Sequence, residues 1–228
     1  MGLVGESGAG KSTLALALLN LLPWTGGWST GEVRWRGRNL LALPERELRR
    51  VRGKEIALVP QSPAAALNPA MTVEAHLKET WRAHVARPWR EVRAQTAELL
   101  ESVQLPATGE FLKKRPNELS VGMAQRVVIA LALVHRPALL IADEPTSALD
   151  PLTQAEILNL FASIHKRGTA LLYISHDLPS VAALCDRIAI LCRGRIVETG
   201  ECQEVFAQPA QPYTRQLVEA IACWPPRG

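Results

Sequence analysis

A glycine-rich turn near the start of the chain constrains its fold more than any other feature. It reads Gly-Glu-Ser-Gly-Ala-Gly-Lys-Ser over residues 5–12, between an apolar stretch at residues 1–4 and a Leu- and Ala-rich segment at residues 11–22. Glycines let such a turn curl until its backbone N–H groups converge on one point. The first N–H groups of the following helix also favour an anion there. We therefore predict a strand, a phosphate-binding loop and a helix.

The pattern also assigns roles within this phosphate loop. The backbone N–H groups would hold phosphate oxygens, Lys11 would bring its ammonium to the β- and γ-phosphates of a nucleoside triphosphate, and the hydroxyl of Ser12 would bind Mg²⁺. The predicted nucleotide-binding residues of this segment are Gly5, Glu6, Ser7, Gly8, Ala9, Gly10, Lys11, Ser12 and Thr13.

The second informative feature is a pair of acidic residues that follows an apolar strand. Residues 139–142 read Leu-Leu-Ile-Ala, and Asp143 and Glu144 come directly after them. Ligands of parallel sheets bind at the carboxyl ends of the strands. We therefore predict that Asp143 holds Mg²⁺, directly or through a water. Glu144 is the candidate general base for an attacking water, a role that contributes on the order of 10²–10⁴ in rate.

The order of the predicted elements indicates the fold class. From residue 120 onward, helical and strand-like segments alternate, which is typical of a mostly parallel sheet with helices on both faces. Residues 62–116 contain only helical segments, at 72–86 and 90–103, after a Pro-containing loop at 62–69. We therefore predict an α/β P-loop nucleotide-binding core with an inserted all-helical lobe.

The predicted boundaries follow from this pattern. Residues 1–61 and 137–228 would form the α/β core, and residues 62–136 the helical lobe. The closing segments at 201–207 and 213–222 are predicted to be helical.

Composition limits the partners. The chain carries 26 Lys and Arg against 22 Asp and Glu, a net charge of +4, and its basic clusters fit solvated helix faces, so we predict no nucleic-acid partner. No apolar run reaches the roughly 18 residues of a membrane span, so membrane contact would come through another protein. No cysteine pair has C-x-x-C spacing, and we expect free buried thiols. The cysteines are Cys185, Cys192, Cys202 and Cys223.

Four further motifs occur in the chain. Leu-Ser-Val-Gly-Met occupies residues 119–123, Gln61 follows the strand at 55–59, Ser-Ala-Leu-Asp ends at Asp150, and His176 follows the strand at 169–174. With the phosphate loop and the acidic strand end, which correspond to the Walker A and Walker B motifs, they resemble the ATP-binding subunits of ABC transporters. The motifs lie in that family's order and spacing, and the resemblance covers nearly the whole chain.

The resemblance implies an ABC-type ATPase that binds ATP and Mg²⁺ and works as a pair. Ser120, Gly122 and Met123 of the signature motif would grip the nucleotide of the opposite subunit, and Asp150 would lie in the D-loop. His176 would contact the γ-phosphate. Gln61 would touch Mg²⁺ or the lytic water and link the site to the helical lobe and the membrane partner. Catalysis would then depend on Glu144, His176 and Gln61, and the metal would lie among Ser12, Gln61 and Asp143.

The resemblance also implies partners and a location. These are a second ATPase chain, identical or paralogous, in a head-to-tail dimer, two transmembrane permease subunits, and indirectly a solute-binding protein. The expected location is the cytoplasmic face of the plasma (inner) membrane. Gln61 with its neighbouring prolines, Met123, and the run Pro-Tyr-Thr-Arg at 212–215 resemble the importer ATPases for peptides and nickel. The expected solute is a peptide, nickel or a metal chelate.

Two departures from the family pattern carry expectations. Only four residues precede Gly5, where the family has further strands and an aromatic that stacks on adenine. We expect a start site assigned too late in the gene, and ATP affinity roughly ten-fold lower without such stacking. Trp24, Trp28 and Trp35 are weaker candidates for that aromatic. Val121 replaces the usual signature glycine, and we expect it to slow hydrolysis.

Two other functions remain open. One is a soluble ABC-type ATPase of DNA repair or ribosomes, but such proteins carry paired cassettes or a long coiled-coil insertion, and neither occurs in these 228 residues. The other is a degenerate, non-catalytic cassette, which Val121 and the short segment before Gly5 favour. The presence of the phosphate-loop lysine, both strand-end carboxylates and the switch histidine argues against it.

Overall fold

The structure is a computed structural model that describes residues 1–86 and 88–220. The chain forms two compact units, each described by itself below. The first comprises Met1–Leu43 together with the described residues from Leu171 onward, and the second comprises Pro44–Ala170. The boundaries of these two units differ from those of the predicted α/β core and helical lobe at 62–136. That predicted division stays a prediction.

The described elements are numbered along the chain. The strands are β1 (Gly2–Val4), β2 (Arg34–Trp35), β3 (Arg38–Asn39), β4 (Ile56–Val59), β5 (Leu139–Asp143), β6 (Ala170–Ser175), β7 (Arg187–Cys192) and β8 (Arg195–Glu201). The helices are α1 (Lys11–Leu18), α2 (Glu45–Val51), α3 (Pro63–Ala66), α4 (Val73–Arg82), α5 (Trp89–Ser102), α6 (Gly109–Lys113), α7 (Val121–Leu133), α8 (Pro151–Lys166), α9 (Leu178–Leu184), α10 (Cys202–Ala207) and α11 (Pro212–Glu219).

In the first unit, β1 lies between two parallel neighbours. It pairs with β6 on one side and β7 on the other, and Leu3 lies opposite both Ile174 and Ala189. All three residues of β1 are buried, as the apolar sequence requires of a strand with neighbours on both sides. β8 extends the sheet as an antiparallel partner of β7. The phosphate loop therefore leaves the carboxyl end of a buried interior strand.

A small hairpin in the first unit is shaped by its turn residues. β2 and β3 pair across Arg36 and Gly37, which have φ angles of 48° and 77°. Positive φ at both central positions is the geometry of a tight type I′ hairpin turn. Asn39 secures the hairpin, because its Oδ1 accepts hydrogen bonds from the N–H groups of Val33 and Leu41, both at 3.1 Å.

In the second unit, β4 and β5 pair in parallel with Val59 opposite Ala142. Helices are the regular elements among the described residues of the stretch that connects them, as predicted. α5 confirms the predicted helix at 90–103, and α4 confirms the one at 72–86 only up to Arg82. The predicted loop at 62–69 is partly wrong, because α3 forms at Pro63–Ala66. Proline at the first position of a helix has the required φ angle, and the three alanines that follow favour helix.

Arg126 fixes α7 within the second unit. The residue is 6% exposed, and its guanidinium donates to Val103 O at 3.1 Å, to Gln104 Oε1 at 2.8 Å and to Glu156 Oε2 at 2.7 Å. The first two partners lie at the end of α5 and the third lies on α8. The buried charge is thus hydrogen-bonded to three groups, as a charge out of water must be.

The predicted helix at 11–22 ends early, at Leu18. Asn20 adopts a φ of 50°, a left-handed conformation that ends helices, and a separate 3₁₀ turn follows at Leu22–Thr25. The predicted helix at 213–222 is confirmed as α11 up to Glu219, and its last two residues lie outside the described residues. Cys223 lies there as well. Of the other cysteines, Cys185 and Cys202 are buried as expected and Cys192 is half-buried. No helix among the described residues is both long and apolar enough to cross a bilayer.

Candidate active site

The phosphate loop curls as its glycines predict. Gly8 and Gly10 have φ angles of 80° and 102°, which a residue with a Cβ rarely adopts. Gly5 is buried, and a Cβ there would collide with the carbonyl oxygen of Leu191. The loop is closed by a hydrogen bond from Ala9 N to Glu6 O at 3.1 Å. Its shape therefore depends on glycine at three positions.

Lys11 places its ammonium inside this curl. The side chain is 5% exposed, and Nζ donates to Gly5 O at 2.9 Å and Glu6 O at 3.1 Å. The N-cap residue Gly10 makes no side-chain capping bond, and Ser12 and Thr13 are exposed on the first turn of α1. A buried cation beside an uncapped helix N-terminus fits the phosphates of a nucleotide.

His176 lies at the same end of the sheet as the phosphate loop. Val4, the last residue of β1, pairs with Ser175, the last residue of β6, so Gly5 and His176 follow neighbouring strand ends. His176 is exposed, and the adjacent turn is closed by a bond from Asp177 N to Ser175 Oγ at 3.0 Å. The first unit therefore brings the predicted switch histidine to the end of the sheet that carries the loop.

Two catalytic candidates meet in the second unit. The register of β4 and β5 puts Gln61 and Glu144 two residues beyond the pair Val59 and Ala142. Gln61 Nε2 donates to Glu144 Oε2 at 3.3 Å. Asp143, the last residue of β5, is buried at 8% exposure. The strand ends thus place a carboxylate at the end of β5 and a hydrogen-bonded acid–amide pair just beyond it.

Glu144 has an unusual backbone. Its φ is 44°, in the left-handed region that costs a residue with a Cβ on the order of 1–3 kcal/mol. Its carbonyl accepts from Ser147 N at 3.2 Å, which begins the turn leading to Asp150. Such strain persists where the surroundings impose it and is found often at catalytic positions.

The signature motif begins α7. Ser120 is the N-cap, is exposed, and accepts from Met123 N at 3.2 Å through Oγ. Val121, the first helical residue, is 53% exposed. Its helical backbone suits valine, so any interference of Val121 with function arises from its exposed side chain.

Asp150 caps α8 and binds a residue that sequence reasoning missed. Its carboxylate accepts from Leu152 N at 3.1 Å, from Thr153 N at 3.0 Å and from the Thr153 hydroxyl at 2.6 Å. That hydroxyl is the main reason why the pKa of Asp150 lies below its ordinary value. The Asp-x-x-Thr spacing of an N-cap is the sequence signal that points to Thr153.

Thr153 also touches the signature helix. A Cβ built on Gly122 would lie 2.8 Å from Thr153 Cγ2. The first turns of α7 and α8 therefore approach so closely that only glycine fits at residue 122. This gives Gly122 a role inside one chain, in addition to the nucleotide contact that the resemblance implies.

The predicted residues fall into two groups. The first unit holds the phosphate loop and His176. The second holds Gln61, Asp143 and Glu144, and also Ser120, Gly122, Met123 and Asp150. Their joint action on one nucleotide stays a prediction. No group of three or more His, Cys, Asp or Glu side chains placed to hold a metal occurs among the described residues. Hydroxyl and carboxylate oxygens such as those of Ser12 and Asp143 are ligands that Mg²⁺ accepts alongside phosphate oxygens.

Comparison with known proteins identifies the family. The family model described as ABC transporter matches residues 1–147. A probable peptide ABC transporter ATP-binding protein of Sinorhizobium fredii is 44% identical over 97% of this chain and 67% of its own length. The oligopeptide transport ATP-binding protein OppD of Salmonella typhimurium is 42% identical over 97% of this chain and 66% of its own length.

A longer relative and solved structures agree with this match. The peptidoglycan transport ATP-binding protein YejF of Agrobacterium fabrum is 45% identical over 96% of this chain but only 41% of its own length. The ATP-binding cassette MJ0796, solved as a dimer bound to ADP and Pi, superposes with a TM-score of 0.73 at 29% identity, over 88% of this chain and 84% of its own. The cassette cbiO1 of Clostridium perfringens gives a TM-score of 0.75 at 28% identity, over 91% and 78% of the two chains.

The chain spans from about two fifths to two thirds of the length of these curated relatives. It contains the motifs of an ATP-binding cassette, and its fold is that of such cassettes, an α/β core with a mostly parallel sheet. The predicted family and fold class are therefore confirmed, and the chain belongs to the ABC transporter family, among its ATP-binding proteins.

Proposed function

We propose that this protein is the ATP-binding and ATP-hydrolysing subunit of an ABC importer. The observation that carries the proposal is the buried Lys11 ammonium inside a phosphate loop whose glycines and helix N-terminus are arranged for an anion. His176 at the neighbouring strand end supports it. The reaction is the hydrolysis of ATP to ADP and phosphate.

Each predicted residue then has a role in binding. The loop N–H groups and Lys11 hold the β- and γ-phosphates, and His176 contacts the γ-phosphate. Ser12, Asp143 and Gln61 hold Mg²⁺, which neutralises phosphate charge when bound. Catalysis of phosphoryl transfer is mostly positioning and charge stabilisation, which suits these groups.

Glu144 acts as the general base. It accepts a proton from the attacking water, and Gln61 orients its carboxylate through the 3.3 Å hydrogen bond. The left-handed backbone of Glu144 supports this role, because strained backbone of this kind is found often at catalytic positions.

The working form is a head-to-tail pair of cassettes. The first turn of α7 carries Ser120 and Val121 on an exposed surface, so its hydroxyl and N–H groups are accessible to the nucleotide of a second chain, identical or paralogous. Met123 and Gly122 lie in the same turn. Asp150 belongs to the adjoining turn at the start of α8.

The membrane partners are two permease subunits, with the chain held peripherally on the cytoplasmic face and a solute-binding protein acting indirectly. A cavity of about 600 Å³ in the second unit supports a docking place for a permease helix. Leu77, Leu99 and Leu133 contribute apolar lining. The cations Lys54, Arg136 and Arg167 outnumber the one acid in the lining, Glu98. An apolar helix face with an acidic end would fit this cavity.

The solute is a peptide or a peptide-like compound. The named relatives serve peptide, oligopeptide and peptidoglycan transport, and others import glutathione. Nickel or a metal chelate is the second candidate, from the sequence resemblance.

Purified protein tests the proposal. Wild-type protein should bind ATP and release phosphate, and Glu144→Gln should keep nucleotide affinity while losing on the order of 10²–10⁴ in rate. ATP binding without any hydrolysis by wild type, alone or with its permease, would favour the degenerate cassette.

Co-purification with permease subunits separates the importer from a soluble ATPase. Leu99→Glu should abolish that co-purification, and the matched exposed control Ala94→Glu on the same helix should retain it.

A further inference from the structure

The phosphate loop is tied to the last described helix of the chain. The backbone N–H of Glu6 donates to the phenol oxygen of Tyr213 at 3.1 Å, across 207 residues of sequence. Tyr213 lies in the first turn of α11 and is half-buried. It belongs to the run Pro-Tyr-Thr-Arg, for which the proposed catalysis supplies no role.

The helix that carries Tyr213 is itself held firmly. Glu198 on β8 accepts from Ala210 N at 2.9 Å and from Gln211 N at 3.0 Å, just before α11 begins. Pro212 occupies the first helical position, and Thr214 is fully buried. The position of the phenol is therefore set by β8, because the carboxylate of Glu198 anchors the chain that leads into the helix.

The other side of the phosphate loop is held by the turn that joins β7 to β8. Gly194, in the turn between β7 and β8, donates its N–H to Ala9 O at 3.0 Å. The register of β7 against β8 shifts between Ile190 and Leu191. The carbonyl oxygen of Leu191 lies against Gly5 of the phosphate loop. The phosphate loop, the β7–β8 hairpin and α11 are thus each hydrogen-bonded to the other two within the first unit.

We propose that Tyr213 is a positioning residue for nucleotide binding, which links the phosphate loop to the C-terminal helix α11. The inference rests on the proposed function. The N–H of Glu6 donates to Tyr213, so this part of the phosphate loop is held directly by α11. A change in α11 would therefore alter nucleotide affinity through the same hydrogen bond, and nucleotide binding would affect α11 in return.

The test is ATP affinity and turnover of Tyr213→Phe in the full chain. Phenylalanine keeps the ring and removes only the oxygen that accepts from Glu6 N–H. Loss of one such hydrogen bond should weaken ATP binding roughly three- to ten-fold. The rate at saturating ATP should stay within about two-fold, since the reacting groups are untouched. Gln216→Ala, exposed on the same helix, is the control and should match wild type.

A second variant guards against loss of folding. Glu198→Gln keeps Tyr213 itself but weakens the bonds that anchor α11, and should therefore lower ATP affinity by a smaller factor than Tyr213→Phe. Thermal unfolding of each variant is measured alongside. Equal ATP affinity of wild type and Tyr213→Phe, or an equal loss in Gln216→Ala, overturns the inference. Failure of wild type to bind ATP overturns the proposed function instead, so the two failures are distinguishable.

Discussion

The side-chain amide of Gln61 donates to the carboxylate of Glu144 across 3.3 Å, between two residues 83 positions apart in sequence. Parallel pairing of β4 with β5 creates this contact, because the two side chains leave neighbouring strand ends at equal distance from a register pair. Gln61, proposed to hold Mg²⁺, and Glu144, proposed to take the proton, are thus in direct contact. A change at one should alter the chemistry of the other.

Gln61→Glu tests this contact. It places a second carboxylate beside Glu144, and a like charge raises the pKa of a carboxyl. We expect kcat for ATP hydrolysis to fall on the order of 10–100-fold, with ATP affinity within about three-fold of wild type. The pH profile of kcat should move to higher pH. Gln61→Met, of similar size but uncharged, should lower kcat without that displacement, and equal pH profiles in the two variants would contradict the argument.

The contact between Gly122 and Thr153 predicts a rescue. Gly122→Ala brings a methyl against Thr153 Cγ2, and overpacking of this kind costs about 1–3 kcal/mol of unfolding free energy. Thr153→Ser removes that methyl and keeps the hydroxyl that binds Asp150. The double variant should therefore regain most of the stability and ATPase rate that Gly122→Ala loses.

Denaturant unfolding and phosphate release of the four proteins measure this coupling. If glycine is required at residue 122 only for contact with a nucleotide, Thr153→Ser will rescue neither quantity. A coupling energy near zero would therefore show that the close approach of α7 and α8 affects neither stability nor the ATPase rate.

Val121→Gly should speed ATP hydrolysis. Val121 is 53% exposed at the start of the signature helix, and in the proposed head-to-tail pair the partner's nucleotide would lie against this turn. Glycine at the first helical position lowers helix stability only slightly, and phosphate release in the dimer should rise. Val121→Ala is the intermediate control. Equal rates for wild type and Val121→Gly would show that the exposed methyls do not obstruct the partner.

Cys202 should resist thiol reagents at neutral pH. Burial is the main reason why its pKa rises to about 11, so the reactive thiolate is scarce until alkaline pH. Half-buried Cys192 should react with iodoacetamide before Cys202, and mass spectrometry of the two peptides would show the order. Modification of Cys202 at neutral pH as fast as that of Cys192 would contradict the burial of its thiol.

The same shift affects stability. The folded state holds the Cys202 proton more tightly than the unfolded state, so this contribution to stability is complete below the ordinary pKa of 9.0 and is lost as pH rises through about 11. Unfolding free energy of Cys202→Ala should therefore fall less steeply over that range than that of wild type.

The contiguous motifs were determined by the sequence alone. Residues 5–12 make their own loop, because glycine spacing, a preceding apolar strand and a following helix start act within a few residues of one another. Asp143 and Glu144 could likewise be placed at a strand end, since the apolar run before them is short, as strands are, and lies among alternating helical and strand-like segments. Predicted helix boundaries were wrong where a few neighbouring residues determine where a helix starts or stops. Asn20 ends α1 early, and Pro63 begins a helix inside a predicted loop.

Only the tertiary structure decided which distant groups touch. Strand register brings Gln61 to Glu144, helix packing requires glycine at Gly122 because of Thr153, and the anchoring of α11 brings Tyr213 to the phosphate loop. None of these pairs has a characteristic spacing in sequence. Each depends on how several buried surfaces pack together, and packing is a property of the whole unit, whereas a phosphate loop is specified by its own backbone angles.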